Sequence, residues 1–118
     1  MRYFSLQIEI ENDEQINNVS SILQMSPTDN DRVWSLRINE MENVAESVLI
    51  YLANIVQSKK EELKTIGIFE QDISIWMNYE YDQQCNMEFF PEELKVLGDL
   101  GISFCVSCWQ KGGYINFD

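Results

Sequence analysis

The longest regular pattern in the chain runs from Met41 to Leu63. At a 3.6-residue period, Met41, Val44, Ala45, Val48, Leu49, Tyr51, Leu52, Ile55, Val56 and Leu63 fall in one arc roughly 160° wide. Glu42, Asn43, Glu46, Ser47, Asn54, Gln57, Ser58, Lys60 and Glu61 occupy the opposite side, and Ile50 stands among them as an exposed apolar residue. Asn39 is placed to cap this helix, with Glu42 completing a capping box. Lys59, Lys60 and Lys64 crowd the far end, where the helix dipole favours cations. An apolar face this wide needs a large partner, and a sheet supplies one.

The strands are read from alternation. From Tyr3 to Ile10, Phe4, Leu6, Ile8 and Ile10 point one way and Tyr3, Ser5, Gln7 and Glu9 the other, which predicts a half-buried strand. Asp13 to Met25 predicts a short helix through Ile16, Val19, Ile22 and Leu23, followed by a polar loop to Arg32. Val33 to Ile38 is a second strand, with Trp34, Leu36 and Ile38 inward and Arg37 outward. Thr65 to Gln71 connects, with Ile66, Ile68 and Phe69 tucked onto the core. Asp72 to Tyr81 is a third strand, with Ser74, Trp76, Asn78 and Glu80 opposite its apolar face. After a turn at Asp82-Gln83-Gln84, Cys85 to Phe89 is expected to pair back as a short strand. Pro91 opens a helix that Gly101 ends. Ile102 to Trp109 is the last main strand, and Tyr114 to Phe117 is an expected extra edge.

The order is β-α-β-α-β-β-α-β in a single domain, residues 1–118. Alternating strands, rather than continuous apolar runs, fit a sheet covered on one face only. The expected fold is therefore α+β, a two-layer α/β sandwich with a mainly antiparallel sheet and its helices packed on one face. Periodicity does not fix the strand order.

Charge changes the functional picture. Twenty acids against eight bases give a net charge of −12. Nucleic acid and anionic membranes are polyanions and would be repelled, so neither is an expected partner; a basic protein is. The alternating N-terminus lacks the continuous apolar segment of a secretion signal, which makes a cytoplasmic protein the expectation. The three cysteines, Cys85, Cys105 and Cys108, are then expected to be reduced.

The chemistry is narrow. There is no histidine, so the commonest general base and metal ligand is missing. Cys105 and Cys108 have the spacing of a redox or zinc motif. They lie in an alternating strand, where positions three apart face opposite ways, so structural thiols are expected, with Cys85 able to approach one of them. Asp29-Asn30-Asp31 starts like a calcium loop but lacks its glycine and later glutamate. No metal or cofactor is expected. Glu70 with Asp72, and Glu80 with Asp82, are pairs at the two ends of the third strand, read as sharing a face. The outward sheet face also shows Tyr3, Arg37, Trp76, Cys105 and Trp109. Aromatics ringed by polar and acidic groups match interface composition, whereas stacking of Trp76 on Trp109 would give them a purely structural role.

The segments Met25-Ser26-Pro27-Thr28 and Val33-Trp34-Ser35-Leu36, the long helix, and the closing Pro91-Glu92-Glu93-Leu94 with Leu97 and Leu100-Gly101-Ile102 resemble the bacterial family named domain of unknown function 4279. The likeness spans most of the chain and consists of core and turn residues that carry no chemistry. Phe90 departs from it, standing where a Ser or Thr cap is usual. In size, charge and class the chain is also similar to immunity proteins of bacterial toxin systems, including contact-dependent growth inhibition. That similarity implies a non-enzymatic cytoplasmic inhibitor, monomeric before binding, that blocks the C-terminal domain of a cognate toxin, a basic nuclease. The partner-binding residues expected are Glu70, Asp72, Trp76, Glu80, Asp82 and Trp109. The polar side of the long helix, through Glu42, Glu46 and Ile50, is the alternative interface. Two other readings compete: an enzyme using paired carboxylates, and an oligomerisation module that pairs through its aromatic sheet face.

Overall fold

The computed structural model describes residues 2–29, 32–39 and 47–111. Its elements follow in the order β1 (Arg2–Glu9), α1 (Asp13–Leu23), β2 (Val33–Asn39), α2 (Val48–Lys64), a single 3-10 turn (Glu70–Asp72), β3 (Ile73–Tyr81), α3 (Pro91–Leu100) and β4 (Ser103–Gln110). Among the described residues the strands form one open sheet in the order β2-β1-β3-β4. β1 is antiparallel to both β2 and β3, while β3 and β4 are parallel and joined through α3. The fold is α+β, with a mixed, mostly antiparallel sheet.

The core lies between one sheet face and the helices. Phe4, Leu6 and Ile8 of β1 meet Ile73, Ile75 and Met77 of β3, all buried. α2 covers them with Leu49, Leu52, Ala53, Val56 and Leu63, a stripe at helical spacing, and packs between α1 and α3. Trp34 of β2 is fully buried. Its indole N–H is satisfied by Ser20 Oγ at 2.9 Å, which ties β2 to α1. Leu36 and Ile38 are only half-buried, because β2 is an edge strand.

The helix ends follow local chemistry. Asn12 Oδ1 caps α1 by accepting from Gln15 N at 3.0 Å. α1 stops at Leu23, short of the expected Met25, because Gln24 turns left-handed at φ 56°. Pro91 opens α3, and Gly101 closes it at φ 77°, a conformation that costs glycine least. Phe90 offers no side-chain cap, yet its N–H is met at 2.8 Å by Glu93 Oε1, so half of a capping box persists without the hydroxyl.

Several expectations are corrected. Asn39 does not cap the long helix; it pairs with Tyr3 as the last residue of β2. α2 begins instead at Val48, with Ser47 as its cap. The expected first turns of that helix, with Glu42 and Glu46, lie outside the described residues, as does the expected edge at Tyr114 to Phe117. Tyr51 is 41% exposed rather than inward, since it sits about 200° round the helix from Leu49. Ile50, expected outside, is half-buried. In the α2–β3 connection Ile68 is buried, whereas Phe69 points out at 43% exposure.

Cys85 to Phe89 forms no strand, because β1 and β4 already occupy both edges of β3. Its alternation is nonetheless real. Cys85, Met87 and Phe89 are half-buried and Asn86 and Glu88 exposed, so the segment lies over the inner face of β4 instead of beside it. Phe89 meets Phe104 there edge-on, with ring centroids 5.0 Å apart. Among the described residues no helix is long and apolar enough to cross a membrane.

Candidate functional site: the uncovered face of the sheet

Strand order turns separate alternations into a surface. On the face away from the helices, the register sets Asn39, Tyr3, Asn78 and Ser107 in one row across the four strands. The next row is Arg37, Ser5, Trp76 and Cys105, and the third is Ser35, Gln7, Ser74 and Ser103. Ser5 is only 4% exposed although it points away from the core, since Arg37 and Trp76 flank it on the neighbouring strands.

Arg37 is held in place. Its guanidinium carbon lies 3.8 Å from the centre of the Tyr3 ring, and its Nε donates to Asn39 Oδ1 at 3.4 Å. Its backbone N–H donates to Thr28 Oγ1 at 3.0 Å. The loop carrying Thr28 and Asp29 pairs with Ser35 through Thr28 N to Ser35 O at 2.7 Å and Ser35 N to Asp29 O at 2.9 Å. These contacts wall a polar recess of about 400 Å³ over Tyr3, Ser5, Gln7 and Asn78. A second recess of about 240 Å³ lies beside Trp76, between Gln7, Glu9 and Ser103. Trp76 leans along its own strand, donating from Nε1 to Ser74 Oγ at 3.0 Å.

Acids ring this aromatic and hydroxyl-rich centre. Glu9 and Asp72 stand at one end, since Ile8 pairs with Ile73. Glu80 stands at the other end, directly opposite Trp109, with Asp82 exposed just beyond. Trp76 and Trp109 do not stack: Trp76 neighbours Cys105, and Trp109 lies four positions, about 13 Å, further along β4.

The expected partner-binding residues therefore divide. Among the described residues no helix covers the face that Trp76, Glu80 and Trp109 share, and Asp82 stands at its rim. Glu70 and Asp72 lie at the opposite end of β3, about 25 Å from Glu80, where Asp72 lines the recess beside Trp76. They do not share a strand face as expected, because Glu70–Asp72 is a 3-10 turn, closed by Asp72 Oδ2 accepting from Phe69 N at 2.9 Å. Glu70 faces α2, at 3.3 Å from Lys60 Nζ and 3.7 Å from Lys64 Nζ. A bond from its own backbone N–H, and then Lys60, hold its carboxyl below the usual glutamate range. Lys60 also donates to Leu100 O at 3.2 Å, so this cluster fastens α2 to the end of α3.

Alternation alone puts Tyr3, Ser5, Gln7 and Arg37 on the outward face without marking them as a site. Only the pairing of β1 between β2 and β3 makes them neighbours. Cys105 faces out beside Trp76 and Cys108 faces the helices opposite Tyr79, so the CxxC spacing builds no joint site. Among the described residues no three His, Cys, Asp or Glu side chains are grouped to hold a metal ion. Comparison with family models, curated proteins and solved structures gives no match to this chain.

Proposed function

We propose that this chain is a non-enzymatic binding protein whose uncovered sheet face docks onto a basic partner protein. The observation that carries the reading is the placement of Trp76, Trp109 and Tyr3 on one uncovered face, rimmed by Glu9, Asp72, Glu80 and Asp82. Large amphipathic side chains inside a polar rim are what binding hot spots are made of. A net charge of −12 steers such a surface toward cations and away from polyanions. The recess beside Arg37 would receive a polar side chain of the partner.

Among basic partners, a nuclease toxin domain fits best. A nuclease needs positive charge to hold a phosphate backbone, and an acidic protein seated on that charge excludes the substrate. On this reading the chain is an immunity protein of the contact-dependent growth inhibition kind, acting in the cytoplasm without making or breaking a bond.

The test is co-expression with the product of the gene immediately upstream. A one-to-one complex that restores growth, and that Trp76→Ala or Trp109→Ala weakens at least tenfold, supports the reading. Absence of a complex, or a complex indifferent to both substitutions, overturns it.

A further inference from the structure

The third cysteine pairing, between Cys85 and Cys108, is the one the fold creates. Cys108 lies on the inner side of β4, opposite Tyr79. The chain leaving β3 is fastened over the end of β4, where Lys111 N donates to Tyr81 O at 2.7 Å and Gln110 Nε2 to Asp82 O at 3.1 Å. It then runs back along the inner face of β4 until Phe89 meets Phe104. Cys85 precedes Phe89 by four residues and Cys108 follows Phe104 by four. One antiparallel strap therefore sets Cys85 over Cys108, close enough that the Cys108 sulfur raises the Cys85 thiol. Both are free thiols, Cys85 half-buried and Cys108 exposed. Cys105 lies on the other side of the sheet.

We propose that Cys85 and Cys108 form a redox-responsive dithiol, which a two-electron oxidant of the hydroperoxide class converts into a disulfide stapling the 82–90 strap to β4. The more accessible Cys108 reacts first. Its thiolate attacks a peroxide oxygen, the O–O bond breaks, and the leaving hydroxide takes up a proton as water, giving a sulfenic acid. The Cys85 thiolate then attacks the Cys108 sulfur, the S–O bond breaks, and a second water leaves. Two thiols and one hydrogen peroxide thus become one disulfide and two waters. Burial, and then the neighbouring Cys108 sulfur, raise the Cys85 thiol above its ordinary range, so less of it is thiolate and the first attack on the peroxide falls to the exposed Cys108. The inference is independent of any docking partner.

The experiment exposes the full chain to hydrogen peroxide, blocks remaining thiols with a maleimide, and maps peptides without reduction. The expected product is one intramolecular bridge from Cys85 to Cys108 with Cys105 alone alkylated. It should carry a rise in Tm of about 5–10 °C that dithiothreitol reverses. Recovery of Cys85 and Cys108 as separately alkylated or over-oxidised residues overturns the proposal. So does a bridge to Cys105 or to a second molecule. Cys85→Ser should leave a Cys108 sulfenic acid that dimedone traps, and Cys105→Ser should leave the bridge intact. Because the mapping is made on the unsubstituted chain, a variant that fails to fold does not rescue the proposal.

Discussion

Ser47 Oγ donates a 2.6 Å hydrogen bond to Glu93 Oε2, while the other oxygen of that carboxylate accepts from the backbone N–H of Phe90. Ser47 is the cap of α2 and Glu93 lies in the first turn of α3, so one carboxylate fastens two helix starts together. Removing it leaves a cap N–H and a hydroxyl unmatched. Glu93→Ala should cost about 1–3 kcal/mol in chemical denaturation. Ser47→Ala should cost about 1 kcal/mol, and the double variant less than the sum of the two. Strict additivity would mean that the two residues are not coupled.

Trp34 and Ser20 form the second local dependency. The indole is fully buried, and Ser20 Oγ receives its N–H. Ser20→Ala strands that donor and should destabilise by about 1–3 kcal/mol in urea unfolding. Trp34→Phe trades the donor for a cavity. In that background Ser20→Ala should be nearly silent, because the group it served is gone.

Glu70 sets a pH response. Its folded carboxyl titrates below its ordinary range, and an unfolded glutamate titrates near about 4.3. The contribution to stability is therefore present above that unfolded value and is lost as pH falls through the lower folded one. Glu70→Gln should remove this part of the acid-induced loss, so that wild type and variant converge at the acid end and differ at neutral pH. Equal differences at both ends, measured by thermal melts across the acid range, would refute the assignment.

Trp76 and Trp109 should matter for docking more than for folding. Each truncation to alanine should raise the Kd for a basic partner by about tenfold to a hundredfold, as hot-spot aromatics do. Tyr51, exposed on α2, serves as the control: Tyr51→Ala should leave the Kd unchanged. On the proposed reading charge steers the encounter, so raising the salt concentration should slow association more than it speeds dissociation.

The alternation of Phe4, Leu6 and Ile8, and of Ile73, Ile75 and Met77, was legible because each strand buries one face. α2 was legible in its body but not at its start. Asn39 has good capping chemistry, yet pairing with Tyr3 keeps it extended and Ser47 takes the role. Cys85 to Phe89 shows why period alone is ambiguous: an extended segment lying over a sheet alternates just as a strand within one does. The candidate site was legible as a face but not as a neighbourhood. That Ser5 sits between Arg37 and Trp76 depends on strand order, which no local pattern encodes. The carboxylates at Glu70 and Asp72 looked equivalent to those at Glu80 and Asp82 until the 3-10 turn rotated Glu70 toward Lys60.

The position of β1 in the middle of the sheet has a kinetic consequence. Its ladder with β3 joins Arg2 to Tyr79 and Ile8 to Ile73, partners about seventy residues apart. That ladder, on which the inner sheet depends, demands closure of a long loop before any of its contacts form. During synthesis the first strand emerges early and waits, holding Phe4, Leu6 and Ile8 without their main partners until β3 leaves the ribosome. A hairpin-like pairing of β1 with β2 is the shelter available in the meantime, and the tie from Trp34 to Ser20 is local enough to form with it. Folding rate should accordingly respond more to substitutions in β2 and α1 than their edge positions suggest.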